Sequence, residues 1–243
     1  MTTEPTVDLT AARFIDELLA KRSDEELAKI QRYFKTGDGD YGEGDVFVGV
    51  RMGDVFALAK AFIDLSPSEI EVLLEDERHE VRAGGCSVMA KQAARKKTTE
   101  DRRTELYELY LRRLDRINNW DLVDLAARDV IGAHLIDRPR DPLYDLARSD
   151  HHWSRRTAIY ATHAFIKRGE LDDTFALAEV LLDDPEDLMH KAVGGWLREA
   201  GKHDQPRLLA FLDEHAAAMP RTTLRYATEK LDADQKAHYR SLA

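Results

Sequence analysis

The chain has 243 residues, 43% hydrophobic and 34% charged, which suffices for one or two compact domains or one elongated repeat domain. No apolar run reaches the roughly 18–20 residues that span a bilayer, and the first residues lack the basic and apolar regions of a signal peptide. A single cysteine, Cys86, excludes an intramolecular disulfide framework. We therefore expect a cytoplasmic protein that has no membrane anchor.

The net charge of −10 disfavours nucleic-acid binding in general, but the charge is unevenly distributed. Residues 1–90 carry a net charge of −9, whereas residues 91–116 hold 9 Lys/Arg and 5 Asp/Glu, a net charge of +4. Two interpretations of this basic block are open. It supplies the local positive charge that phosphates require, or its cations pair with acids on a solvated helix face. The charge pattern by itself favours the second.

Helix signals dominate the chain. Ser23 precedes an apolar-periodic segment and has Glu26 three residues later, as in a capping box. Ser66 followed by Pro67 predicts a second helix start. Further along, an apolar stripe at helical spacing predicts a helix with these buried positions: Tyr107, Tyr110, Leu111, Leu114 and Ile117.

The segment 35–45, rich in glycine and acids, resembles a calcium loop only in composition. Counted from Asp38, the sixth position is Glu43 and the twelfth is Gly49, where such a loop needs Gly and Glu. We predict a flexible turn here. The following residues, 45–51, are either one short strand or an extended loop.

The helices repeat. An acidic turn, a basic residue and an apolar helix recur near residues 80, 152 and 188, with compatible positions near 120 and 222. This spacing of roughly 32–40 residues is typical of two-helix repeats of the HEAT kind, whose pairs bury their apolar faces only by stacking. The sequence therefore predicts an all-α, HEAT-like solenoid, curved with a concave binding face, as a single domain over residues 1–243.

The segment 117–135 predicts a helix that opens with Trp120. Trp120 and Asp124 are four residues apart, so they share one helix face. The buried stripe lies elsewhere on this helix: Leu122, Ala126, Val130 and Ala133. Trp120 and Asp124 are thus expected to face a groove or solvent.

The acids of this helix also have purely structural explanations. Asn118 or Asn119 can cap the helix, and Asp121 then lies in the first turn, where the helix dipole favours a carboxylate. Asp124 has Arg128 at i+4 and can pair with it. Spacing alone favours a surface acid over a functional one at Asp124.

Two other tryptophans, Trp153 and Trp196, lie in later repeats. Core packing is the usual role of such residues, and a shared aromatic cleft is the alternative. Gly194 precedes Gly195 and Trp196, which permits close approach by a neighbouring helix or a ligand. Of the pair Arg155 and Arg156, one can face a phosphate and the other solvent.

Other reactive residues form no recognisable site. The histidines lack HExxH spacing, so we expect no metal and no other cofactor. Cys86 has no base partner in sequence and is expected in the core.

Several segments together resemble the AlkD-type DNA alkylation-repair glycosylases, a HEAT-like family, over most of the chain. The resemblance depends on these stretches: "YFKTG" with "VFVGVR" and "ALAK" (33–60), "EVRAGGCSVM" (80–89), "NWDLVDLAARDVIG" (119–132), "SDHHWSRRTAI" (149–159) and "HKAVGGWLREAGK" (190–202). The W-D-x-V-D and G-W-x-R-E motifs are the most specific of these.

The resemblance implies hydrolysis of the N-glycosidic bond of N3- or N7-alkylated purines in double-stranded DNA by a monofunctional enzyme. It assigns the catalytic carboxylate to Asp124 and DNA or substrate contacts to Trp120, Trp196 and Arg156. It implies no cofactor and a monomer.

Two segments depart from the family pattern. Asn119 stands where an aromatic residue often precedes the motif, and Met52, Gly53 and Asp54 replace a proline and arginines. With the acidic first 90 residues, the second departure favours an alternative function: a non-catalytic HEAT-like module that binds DNA structures or a protein partner.

Overall fold

The computed structural model describes residues 9–37 and 41–242, and in these ranges the chain is helical, with one isolated parallel bridge between Val46 and Arg78 in place of any strand. The chain folds into two compact units, residues 1–126 and 127–243, each of which is described by itself. The all-α, HEAT-like repeat architecture expected from the sequence is confirmed. No helix in the described ranges is both long and apolar enough to cross a bilayer.

The first unit holds seven helices in the described residues: α1 (Ala11–Leu19), α2 (Asp24–Phe34), α3 (Met52–Ala61), α4 (Pro67–Glu75), α5 (His79–Ala94), α6 (Glu100–Arg112) and α7 (Trp120–Ala126). The centre of the unit is α5, which is buried along nearly its whole length and packs against α3, α4, α6 and α7. Because α5 is covered on all sides, its polar residues must find partners inside the unit.

Local signals in the first unit are mostly confirmed. The Ser23 hydroxyl accepts from the Glu26 amide at 3.4 Å, and Ser66 caps the helix that Pro67 opens. In α6 the stripe is only partly as predicted. Tyr110 and Ile117 are buried, Tyr107, Leu111 and Leu114 are half-buried, and the other buried positions of α6 are Leu106 and Leu109.

The extended-loop alternative is confirmed for residues 46–50. The buried Glu80 carboxylate accepts the amides of Val48, Gly49 and Val50 at 3.0, 2.9 and 3.3 Å, so these donors need no sheet partner. Gly49 has φ +79°, and a Cβ there would lie 2.3 Å from the Ser23 carbonyl oxygen. Asp38, from which the calcium-loop comparison counts, lies outside the described residues.

The second unit begins with a π-helix, Ala127–Gly132. It continues with α8 (Asp141–Ala147), α9 (His152–Ala161), α10 (His163–Ile166), α11 (Asp172–Val180), α12 (Asp187–Gly201), α13 (Gln205–His215), α14 (Arg221–Ala227) and α15 (Ala233–Leu242). The predicted continuous helix from Trp120 is therefore wrong in one respect: the α-helix ends at Ala126 and i→i+5 bonding follows. This change of register leaves Ala133 half-buried rather than in the core stripe.

Helix α12 organises the second unit and packs closely on α14. Gly194 permits this approach, because a Cβ at that position would lie 2.4 Å from the Thr223 carbonyl oxygen. The next residue, Gly195, has no such neighbour within 4 Å. Gly194 therefore permits the close approach of a neighbouring helix, as predicted, whereas Gly195 faces open space.

This pair gives a matched test of the packing. Gly194→Ala should lower the free energy of unfolding by about 1–3 kcal/mol through overpacking. Gly195→Ala should leave it unchanged or raise it by up to about 1 kcal/mol, since alanine is the better helix former. Urea unfolding monitored by circular dichroism measures both, and equal effects of the two substitutions would contradict the packing described here.

Candidate functional site

A cleft in the first unit collects the residues singled out around Trp120. This first cleft has a volume of about 480 Å³ and is lined by Lys29, Ile30, Tyr33, Phe34, Met52, Phe56, Trp120, Asp121, Asp124 and Leu125. Its surface is mostly apolar, and two carboxyl groups from one helix enter it. Asp124 is half-buried there and shares the face of α7 with Trp120, as the i, i+4 spacing predicts.

Three aromatic side chains form one wall of the first cleft. The Trp120 indole stacks on Phe34 with ring centroids 5.4 Å apart and an interplanar angle of 20°. Tyr33 meets the same indole edge-on at 5.9 Å, although 65% of Tyr33 is exposed. Such π faces beside carboxylates suit a planar or cationic ligand.

A buried polar network lies behind this wall. His79, only 1% exposed, lies between two acids: its Nε2 is 2.8 Å from an Asp121 oxygen, and its Nδ1 is 3.3 Å from an Asp45 oxygen. The second oxygen of Asp45 accepts from the Arg82 guanidinium. Each ring nitrogen therefore faces a carboxylate, an arrangement that fits the doubly protonated imidazolium.

The same network fixes the start of α7. Asn119 donates from Nδ2 to Asp45 at 2.6 Å, and its Oδ1 accepts the Trp120 amide at 2.8 Å. Asn119 is thus the capping asparagine of the two candidates. Asp121, explained in the sequence by the helix dipole alone, is also tied to His79 and lines the cleft.

Electrostatics support the ionised form of the network. Burial acts to lower the pKa of His79, but the charges and hydrogen bonds of Asp121 and Asp45 outweigh it and raise that pKa to about 9. Burial acts to raise the pKa of Asp45, yet hydrogen bonds from His79 and Asn119 and the charge of Arg82 hold it below its usual range. The protonated histidine and its two acids therefore stabilise each other in the folded unit.

The lysine in the first cleft is held as a cation. The Lys29 ammonium donates to Glu25 at 2.7 Å and to Glu26 at 2.9 Å, and these hydrogen bonds raise its pKa. A lysine that attacks a sugar carbon must first lose its proton, so this environment is unfavourable for a nucleophilic amine.

A second cleft, wholly within the second unit, holds the other two predicted residues, Trp196 and Arg156. It has a volume of about 330 Å³ and is lined by Arg156, Tyr160, His163, Lys191, Ala192, Gly195, Trp196, Arg198, Glu199 and Tyr226. The Trp196 ring contacts Tyr160 and His163, each at a centroid distance of 5.1 Å. Burial, with Lys167 and Arg128 nearby, lowers the pKa of His163.

Arg156 is 5% exposed and is held within this second cleft. It donates from Nη1 to the Leu188 carbonyl at 3.0 Å and from Nη2 to the Tyr160 hydroxyl at 2.7 Å. Arg155 is paired with Asp184, its Nε 2.5 Å from the carboxylate. Neither arginine points freely into solvent, so the expectation that one of them does is wrong. Trp153 is buried in the core, as expected for a lone tryptophan.

The basic block at 91–116 is largely neutralised within the first unit. Arg112 pairs with Glu71, Arg113 pairs with Glu71 and Glu75, and Arg103 pairs with Glu100. Lys96 and Lys97 are exposed. The structure thus favours the interpretation that these cations pair with acids on a solvated helix face rather than supply charge for phosphates.

Comparison with known proteins now decides the family. A family model described as DNA alkylation repair enzyme matches residues 14–231. The chain belongs to the DNA alkylation repair enzyme family. A role in the repair of alkylated DNA follows, with DNA as the substrate of the family.

A solved structure supports the same fold. It is described as a predicted DNA alkylation repair enzyme from Enterococcus faecalis, and it matches with a TM-score of 0.67 at 17% identity, covering 88% of this chain and 98% of that one. At this identity the likeness shows the fold alone. No curated protein matches the chain in sequence.

Two groups of residues at the first cleft were not predicted from the sequence. Tyr33, Phe34 and Phe56 line the first cleft, yet in the sequence they are ordinary aromatic positions of helices. His79 and Asp45, which support α7, precede Asp121 by 42 and 76 residues in the sequence. Helical periodicity does not relate residues that far apart. The one sequence signal that could have identified His79 was a polar residue at a position expected to be buried.

The His79 network predicts a pH dependence of stability. The His79 pKa is about 9 in the folded state and 6.5 as a reference, so its stabilisation is complete below pH 6.5 and is lost between pH 6.5 and 9. The loss should be on the order of 2–4 kcal/mol. Denaturant unfolding at several pH values measures it.

His79→Gln is the matched variant for this measurement. It should be less stable near pH 6, and the decline toward pH 9 should disappear. The half-buried His152 and His163 have lowered pKa values, so their contribution to stability rises with pH. This contribution is the same in both proteins and cancels when their stabilities are subtracted. Parallel curves for wild type and His79→Gln would show that His79 is not charged in the fold.

Proposed function

We propose that the protein is a monofunctional DNA glycosylase that hydrolyses the N-glycosidic bond of N3- or N7-alkylated purines in double-stranded DNA, with Asp124 as its catalytic carboxylate. The observation that carries the proposal is the position of Asp124, half-buried in the first cleft on the same helix face as Trp120. Membership of the repair family supplies the DNA substrate.

The chemistry needs little from the protein beyond charge and position. Alkylation makes the purine cationic, so the C1′–N bond breaks with its electron pair passing to the base, which leaves neutral. Positive charge develops on the deoxyribose, and a carboxylate beside C1′ stabilises it. Asp124 then orients the water that attacks C1′ and accepts its proton, which yields the free base and an abasic site.

The aromatic wall of the first cleft suits this reaction. Trp120, backed by Phe34, presents a π face to the cationic base or the charged sugar, which is worth about 0.5–2 kcal/mol. Trp196 offers a similar face in the second cleft, where Arg156 is proposed as a DNA contact. The paired state of Lys29 argues against a Schiff base, so no lyase step is expected.

The rival function, a non-catalytic module that binds a DNA structure or a protein partner, draws support from the ion pairs that neutralise the basic block. Released base separates the two functions, since a binding module leaves methylated duplex intact. Monomeric state and cytoplasmic location remain predictions in either case.

Asp124→Asn tests the catalytic role. Release of 7-methylguanine from methylated duplex should fall by about 10²–10³-fold, because the amide cannot stabilise positive charge. Duplex binding and the unfolding midpoint should stay close to wild type. Chromatography of the released bases and fluorescence anisotropy of a labelled duplex measure the two properties.

The matched control is Asp115→Asn, which removes an exposed acid shortly before the motif. It should leave base release unchanged. Full activity of Asp124→Asn would remove this residue from the mechanism, and no base release by the wild type would favour the rival function.

The indoles have a separate test. Trp120→Ala and Trp196→Ala should each lower base release by roughly 2–30-fold, the range of a cation–π contribution, with a smaller loss of binding to undamaged duplex. Trp120→Phe and Trp196→Phe should recover part of the rate, since an aromatic face remains. Equal losses of release and of undamaged-duplex binding would identify both tryptophans as packing residues.

A further inference from the structure

A third cleft lies between α14 and α15 of the second unit. This C-terminal basic cleft has a volume of about 450 Å³, and its lining includes four cations, Arg221, Arg225, Lys236 and Arg240, with one acid, Glu229. The cations come as two i, i+4 pairs, one on each helix, so each pair presents like charges on one helix face. Such like-charge pairs slightly destabilise a helix.

The charge of this cleft contrasts with the rest of an acidic chain. Several arginines outside this cleft are neutralised, as Arg112 is by Glu71 and Arg155 is by Asp184. Within residues 9–37 and 41–242, no carboxylate lies within ion-pair distance of Arg225, Lys236 or Arg240.

The single acid of the cleft does not offset these cations. Glu229 is engaged by Arg198, and Lys230 lies 3.1 Å from its other oxygen. Arg225 instead extends over the Tyr226 ring, with its guanidinium carbon 4.7 Å from the ring centroid. The C-terminal basic cleft therefore has an excess of positive charge that a ligand can neutralise.

We propose that the C-terminal basic cleft binds consecutive phosphates of a DNA backbone. Guanidinium groups match phosphate geometry with two parallel hydrogen bonds, and the cleft is lined by three of them. This inference rests on DNA as the ligand in the proposed function. It gives an acidic protein the phosphate contacts that its basic block at 91–116 does not provide.

The position of this cleft also favours a backbone over a free anion. Tyr226 lines the second cleft, and its neighbour Arg225 lines the C-terminal basic cleft, so the two clefts flank one helix, α14. Arg198, which lines the second cleft, pairs with Glu229 of the other. A strand held at Trp196 and Arg156 can therefore pass over α14 with its phosphates still beside cations.

The test is the salt dependence of binding to undamaged duplex. In Arg225→Gln/Arg240→Gln, the slope of log affinity against log salt should fall by about 2, because each lost phosphate contact removes about 0.9. Affinity at low salt should fall roughly tenfold or more, and Arg225→Lys/Arg240→Lys should retain most of the slope. Fluorescence anisotropy between 50 and 200 mM salt covers the range.

The control Lys96→Gln/Lys97→Gln removes the same charge from exposed lysines of the first unit and should leave the slope unchanged. An unchanged slope in Arg225→Gln/Arg240→Gln, or a wild type that binds no duplex, would overturn the proposal. So would equal losses in both double variants, which would reflect net charge alone. Tripolyphosphate that binds the wild type as tightly as duplex, with duplex binding insensitive to the arginines, would identify a free-anion site instead.

Base release distinguishes this proposal from the glycosylase proposal. Release of 7-methylguanine is therefore measured with the wild type, whereas Arg225→Gln/Arg240→Gln, which removes cations of the proposed DNA-binding cleft, reports only on the salt dependence of duplex binding. A lowered salt slope in a protein that releases no base would support the backbone site while the glycosylase proposal fails. Normal base release by the wild type, with an unchanged salt slope in Arg225→Gln/Arg240→Gln, would support the glycosylase proposal while the backbone site fails.

Discussion

The buried contact between His79 and its two acids is the constraint on which the first cleft depends. Helix α7 has seven residues, too few to be stable by itself, and its start is fixed by Asn119, which Asp45 holds in turn. Asp121 is tied to His79 from within the first turn of α7. Because Trp120 and Asp124 belong to this one short helix, the network sets where both side chains stand in the cleft.

The distribution of charge suggests a division of work between the two units. The first cleft combines π faces with the carboxyls of Asp121 and Asp124, a setting that favours a cation such as an alkylated purine. Cations without nearby acids are found in the second unit, where Arg225 and Arg240 stand in their own cleft. In the proposed mechanism the first unit supplies the carboxylate and Trp120, and the second unit supplies Trp196 and the cations for the phosphate backbone.

The sequence was sufficient where the physics is local. The cap at Ser23, the proline start at Pro67 and the shared face of Trp120 and Asp124 each depend on residues within one helical turn, and the structure has all three. The repeat spacing likewise predicted the all-α fold. The sequence was insufficient where partners are distant. It favoured ion pairs within 91–116 but did not identify Glu71 and Glu75 as the partners of Arg112 and Arg113, and no helical period links His79 to Asp121.

In the proposed mechanism the Asp124 carboxylate contacts the sugar of an alkylated nucleotide. A crystal structure of the protein with a duplex that carries 7-methylguanine, stabilised against cleavage by a 2′-fluoro sugar, tests this most directly. We expect the Asp124 carboxylate beside C1′ of that nucleotide, with the Trp120 ring against the sugar or base. A lesion bound away from α7, with the first cleft empty of DNA, would contradict it.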